Sequence, residues 1–144
     1  MGWNQWALLR FTNKTFEDTL MLKFPNTGDH WGWPFADTED TNNRIEIQYG
    51  DIERTEIKPQ TSYSYGQTGK QNEWSGMSGT VEIYTKATED SPEEKIARIY
   101  YSCPWSGSNE FTIMDVSPGW NVKPWGANFN SGALGSITTE IRRT

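Results

Sequence analysis

T-V-E-I-Y-T, residues 80–85, sets Val81 and Ile83 on one side of an extended chain and Glu82 and Tyr84 on the other. Side chains alternate across a strand, so this stretch reads as a strand with one face in a core and one in water. The same period recurs in both directions from it. Trp6, Leu8 and Arg10 alternate with Ala7, Leu9 and Phe11, and Leu20, Leu22 and Phe24 oppose Met21 and Lys23. R-I-E-I-Q-Y (44–49) puts Ile45, Ile47 and Tyr49 on one face, and S-I-T-T-E-I (136–141) does so with Ile137, Thr139 and Ile141. Turn formers punctuate these runs at Pro25–Gly28, Lys58-Pro59, Gly66–Gly69, Ser75–Gly79, Ser117–Gly119 and Asn130–Gly132. Short alternating strands between such turns indicate an all-β sandwich or barrel. The strands are expected to be shorter than the roughly 9–11 residues of a membrane-barrel strand. The best helix candidate is T-E-D-S-P-E-E-K-I (88–96), with Ser91 as cap, Pro92 in the first position and Glu94 completing a capping box, but its apolar pattern is too thin for more than a turn.

The chain has 144 residues and shows no internal repeat or linker, so residues 1–144 are expected to form a single domain. Aliphatic residues are scarce, but eight Trp and six Tyr supply apolar area, so the expected core is modest and aromatic-rich. A net charge of −6 excludes a nucleic-acid partner, since phosphate binding needs clustered Lys and Arg. One cysteine forms no internal disulfide, one histidine builds no ordinary zinc site, and no cofactor motif occurs, so no metal or cofactor is expected. No apolar run approaches a membrane span, and the N-terminus lacks a basic start and a cleavage pattern, so a soluble chain without a signal peptide is expected. Asn13-Lys14-Thr15 is a glycosylation sequon by pattern, read as chance without a secretion signal.

Tryptophans gather in turn-rich contexts: H-W-G-W-P-F (30–35), N-E-W-S-G (72–76), Y-Y-S-C-P-W-S-G-S-N (100–109) and S-P-G-W-N-V-K-P-W-G (117–126). Loops run over the surface, so these indoles are candidates for a binding tip rather than a core plug. Indoles suit the membrane–water interface, stack on sugar faces and attract quaternary ammonium groups. In an acidic chain, a zwitterionic head group fits better than a ligand that is all phosphate.

Y-Y-S-C-P-W-S-G-S-N followed by N-S-G-A-L-G-S-I-T-T-E-I (130–141) resembles the aegerolysin family, with a Cys-Pro-Trp loop late in the chain and Ser-Gly-Ala-Leu-Gly before the last strand. Q-W-A-L-L-R-F-T-N (5–13) is similar to the family's opening strand, and G-K-Q-N-E-W-S-G-M-S-G-T-V-E-I-Y (69–84) to its central Gly-rich turn. The resemblance spans nearly the whole chain. It implies a compact antiparallel β-sandwich with aromatic-rich loops that recognises membrane lipids of the sphingolipid and sterol class. It also implies a docking role in a two-component cytolysin, with copies assembling on membranes and a larger protein of the membrane-attack-complex/perforin type forming the pore. Some bacterial members form insecticidal pairs of this kind. Such a protein acts extracellularly, at target-cell membranes, after release.

Carried over by motif position, Trp6, Tyr101 and Trp105 belong to the lipid-facing site, and Trp31 or Trp33 takes the place of a membrane-anchoring tryptophan. Two positions depart from the family pattern: Ser75 stands where the family has a glutamate, and Ser108 falls near a family lysine. Losing a carboxylate and an ammonium from one site changes which head group is accepted.

A carbohydrate-binding β-sandwich is the alternative reading, since it too displays planar aromatics on polar loops. An enzyme is not expected: no nucleophile–histidine–acid signature and no phosphate loop occur. His30 and the carboxylates Asp37, Glu39 and Asp40 read as solvated loop residues. Cys103 reads as a buried small hydrophobe at a strand end.

Overall fold

The computed structural model describes residues 5–38, 44–69, 76–86 and 88–144. Nine strands form two sheets: β1 (Trp6–Asn13), β2 (Thr19–Lys23), β3 (Trp33–Ala36), β4 (Ser62–Thr68), β5 (Met77–Lys86), β6 (Glu94–Cys103), β7 (Glu110–Met114), β8 (Trp120–Trp125) and β9 (Gly135–Arg143). One sheet runs β3-β4-β1-β9-β8 and the other β2-β5-β6-β7. The pairs are antiparallel except β1–β9, which run parallel from Ala7↔Gly135 to Asn13↔Ile141. The architecture is a single-domain β-sandwich.

The alternation read from the sequence sets the core. Ala7, Leu9 and Phe11 of β1 and Ile137 and Ile141 of β9 face Val81 and Ile83 of β5 and Ile99 and Tyr101 of β6. Each Val, Leu, Ile or Phe among them contributes about 1.5–3 kcal/mol when fully buried. A bulge in β6 lets both Ile96 and Ala97 point inward, because Ile83 pairs with Ala97 while Tyr84 pairs with Lys95. Ser117 satisfies the kinked strand: its N–H donates to the Ile96 carbonyl at 2.8 Å and its hydroxyl to that of Lys95 at 2.6 Å.

Several local expectations are corrected. Residues 44–49 touch β3 through one bridge, Phe35↔Glu46, and then enter a short helix, α1 (Tyr49–Glu53). Asp51 ends the extended run by accepting the Gln48 N–H at 3.1 Å, and Ile52 anchors the helix in the core. At 88–96 the chain makes only the turn that its thin apolar pattern allows, with the Ser91 N–H donating to the Thr88 carbonyl at 3.1 Å. The Ser91 and Thr88 hydroxyls also bond across this turn, and Glu94–Cys103 pairs with β5. Three strands exceed the expected length, β5 and β6 with ten residues each and β9 with nine, while the other six are shorter, as expected. The sequon residue Asn13 is fully buried, its amide donating to the carbonyls of Asp18 and Ile57, which leaves no room for a glycan.

Candidate functional site

H-W-G-W at 30–33 hands the chain from one sheet to the other. Trp31 bridges to Ser78 of β5, and Trp33 pairs with Thr68 of β4. Gly32 between them has φ +85°, and a Cβ there would lie 2.2 Å from the Thr68 carbonyl oxygen. Only glycine makes this crossing without strain. The two tryptophans therefore serve different sheets. Trp31 and Trp105 line one shallow groove with Gly76, Met77, Ser78, Ser102 and Pro104. Its floor depends on Gly76, where a Cβ would lie 2.5 Å from the Cys103 carbonyl oxygen. Trp31 is 67 % exposed and Trp105 38 %.

Trp33 and Trp6 lie on the five-stranded sheet. Trp33 packs edge-on to Phe35 at 6.4 Å between ring centroids, and Arg44 sits 4.9 Å from the Phe35 ring and 5.6 Å from that of Trp6. Arg44 also donates to the Thr68 hydroxyl at 2.8 Å. Phe35 fits over Gly66, where a Cβ would meet its ring. Trp6 is joined to the loop before β9, since its carbonyl accepts the Leu134 N–H at 2.9 Å.

The loop after Trp105 is tied to that same loop. Asn109 is buried; its amide donates to the carbonyls of Asn128 and Gly132, and its N–H to that of Asn130. Ser108 beside it is exposed. Tyr101 stands apart from the surface residues: it is 0 % exposed and lies beneath the groove. Ser75, Trp74, Glu39 and Asp40 lie outside the described residues, and Asp37 is exposed.

His30 is not solvated as expected. Its Nε2 accepts the Thr80 N–H at 3.0 Å, so in the neutral ring Nδ1 donates to the Tyr49 hydroxyl at 2.8 Å. Burial holds its pKa below the usual imidazole value, against smaller upward effects of the Thr80 backbone and the Asp29 carboxylate. Burial also pushes the Tyr49 phenol up to about 12. Cys103 is buried as expected, and burial raises its thiol pKa.

The described residues that line the groove carry no formal charge, and the Arg44 cation sits over Trp6 and Phe35 on the adjoining sheet. The groove offers two indole faces and the hydroxyls of Ser78 and Ser102. It can take a neutral or zwitterionic group, not bind a dense polyanion. Sequence reasoning had singled out neither serine. Their signal is the outward phase of the alternation in β5 and β6. Among the described residues no three His, Cys, Asp or Glu side chains come together as a metal site requires.

A sequence model of the aegerolysin family matches residues 4–144. Ostreolysin A6 of Pleurotus ostreatus is 27% identical over 141 residues, covering 97% of this chain and 96% of that protein. Aegerolysin Aa-Pri1 of Cyclocybe aegerita is 29% identical over 140 residues, covering 96% and 90%. Among solved structures, IP-1A from Alcaligenes faecalis superposes with a TM-score of 0.74 at 24% identity, over 99% of this chain and 94% of that one. RahU in complex with a TRIS molecule gives 0.75 at 16%, over 97% and 96%. The sandwich and the near-complete match place the chain in one family: it belongs to the aegerolysins.

Proposed function

We propose that this protein docks on membrane lipids through the Trp31–Trp105 groove, as the lipid-recognising half of a two-component cytolysin. Membership of the aegerolysin family makes it a membrane-lipid-binding, toxin-related protein. The observation that carries the finer reading is the pairing of two exposed indoles, from distant parts of the chain, in one uncharged groove. Indoles partition to the membrane–water interface, where the ring meets apolar surroundings and the N–H finds an acceptor. Ser78 and Ser102 offer hydroxyls to a head group between them. Trp6 and Trp33, on the adjoining sheet, extend the contact, and exposed Ser108, in the loop after Trp105, joins it.

The ligand class is a sphingolipid in a sterol-containing membrane, and the pore is formed by a larger partner of the perforin type. Among the described residues no helix is long and apolar enough to cross a membrane. The inward faces of the β5–β6 hairpin already make up much of the core, which opposes their release into a bilayer.

Cosedimentation with vesicles tests the docking reading. Sphingomyelin–cholesterol, ceramide phosphoethanolamine–cholesterol and phosphatidylcholine vesicles are compared for the parent, Trp31→Ala and Trp105→Ala proteins. Binding to a sphingolipid–sterol vesicle that both substitutions weaken supports the reading. Binding to none of these vesicles, together with binding on a glycan array, replaces it with the carbohydrate-binding alternative.

A further inference from the structure

Beneath the groove, Gln67 of β4 is fully buried at a position where the inward alternation of Tyr63, Tyr65 and Gln67 calls for an apolar side chain. Its Nε2 donates to the carbonyls of Trp31 at 2.8 Å and Ser78 at 2.7 Å. Its Oε1 accepts the Tyr101 hydroxyl at 2.6 Å, and the Tyr65 hydroxyl, 3.2 Å from that of Tyr101, donates to it in turn. The amide has one workable orientation, since flipping it would aim Oε1 at two carbonyl oxygens.

The two carbonyls do not need Gln67 to be satisfied. Trp31 and Ser78 already exchange both backbone hydrogen bonds, each 3.1 Å. Gln67 fills their second lone pairs. A buried amide costs free energy unless fully bonded, and this one uses its bonds to clamp an isolated two-residue bridge rather than to extend a sheet. What the bridge presents to solvent is the Trp31 indole.

We infer that Gln67, oriented by the Tyr101 hydroxyl, is a positioning residue that holds Trp31 ready for its ligand. The ordering of the indole's backbone is then complete before binding, so docking does not bear that entropy cost. Tyr101 thus acts on the groove from beneath, without reaching its surface. The inference rests on the docking reading for its functional part and on geometry alone for the clamp.

The experiment combines amide hydrogen exchange with vesicle binding in Gln67→Met, which keeps the bulk and removes the amide. Exchange at the Trp31 and Ser78 amides should rise about tenfold or more while Val81 and Ile99 stay within about twofold, as for local rather than global opening. On sphingomyelin–cholesterol or ceramide phosphoethanolamine–cholesterol vesicles, Gln67→Met should lose most of what Trp31→Ala loses. The double variant should bind no more weakly than Trp31→Ala, as expected for residues acting through one another. Tyr101→Phe, which removes one hydroxyl, gives the same test should Gln67→Met fail to fold. Unchanged exchange at Trp31 and Ser78 overturns the clamp. Losses that multiply in the double variant overturn its link to Trp31. Should Trp31→Ala bind as the parent does, the docking reading falls, and the exchange result still decides the clamp.

Discussion

Cys103 donates its thiol to the carbonyl of Gly132 at 2.9 Å, so the single cysteine ties the end of β6 to the loop before β9. The sulfur is shielded from water, and burial disfavours the thiolate that alkylating reagents require. Iodoacetamide should therefore leave the folded protein unmodified over hours and react readily in denaturant, as read by intact mass. Rapid labelling of the native protein would contradict the placement.

Trp31→Ala and Trp105→Ala should each weaken vesicle binding by about 1–3 kcal/mol, the scale of burying one large apolar side chain. Both side chains leave from surface positions, so the far-ultraviolet spectrum and melting temperature should change little. Flotation with the parent as reference measures the loss. Parent-like binding by a folded Trp105→Ala protein removes that residue from the site.

Binding should be insensitive to salt. Exposed charges separated by more than about 8–10 Å are screened at 0.1–0.15 M salt, whereas apolar insertion is not. The residues that line the groove are uncharged. Vesicle affinity is expected to hold within about threefold between 0.1 and 1 M NaCl, a range over which several ionic contacts would be lost. A steep decline would point to ion pairing with the lipid.

Acid should destabilise the fold in two stages. His30 is held neutral by burial, so below the ordinary imidazole value of 6.5 the unfolded chain takes up a proton that the folded one resists. Its contribution is complete above that pH and is lost as pH falls towards the lowered folded value. Burial pushes the Glu82 carboxyl up, but Arg98 at 3.0 Å and Lys95 at 3.2 Å outweigh it and hold it below its usual 4.5. The stability due to Glu82 is complete above that value and is lost as pH falls through the lowered one. Melting temperature followed from pH 8 to pH 3 should decline in both ranges, and His30→Gln should flatten the upper one. An upper decline unchanged in His30→Gln would assign it elsewhere.

Dye release from sphingolipid–sterol vesicles should require a second, perforin-type component. The β5–β6 hairpin is long enough to span a bilayer, contrary to the expectation of shorter strands, so length is not the obstacle. Releasing it would strip Val81, Ile83, Ile99 and Tyr101 from the core. Release by this protein alone at comparable concentration would refute the division of labour.

The strands legible in the sequence are those whose alternation is carried by aliphatic residues, as in β1, β2, β5 and β9. Residues 44–49 show the same period yet turn into α1, because alternation does not register the Gln48–Asp51 cap that stops the extended run. At 88–96 the local cap signals of Ser91 and Pro92 lose to the long pairing of β6 with β5. Trp120–Trp125 reads as loop because of Pro124, which an edge strand tolerates. Flanking Gly and Pro marked Trp31 and Trp105 as surface candidates. Their meeting in one groove was not legible, since it depends on the bridge from Trp31 to Ser78. Nor were the partners of His30, which lie at Tyr49 and Thr80. The burial of Tyr101 had a signal in its phase with Ile99 and Cys103, masked by its place in the Cys-Pro-Trp motif.

The parallel seam between β1 and β9 gives assembly of the molecule an order in time. β1 sits in the middle of the larger sheet, with β4 on one flank and β9 on the other. A ribosome delivers β4 before β5 to β8, but β9 only after all of them. Until then β1 keeps a row of backbone donors and acceptors open, and β8 has no strand to pair with in its sheet. Such an open edge is a template for pairing with another chain. A variant shortened before Gly135 should therefore collect as insoluble aggregate during synthesis, read as the fraction of the product that pellets.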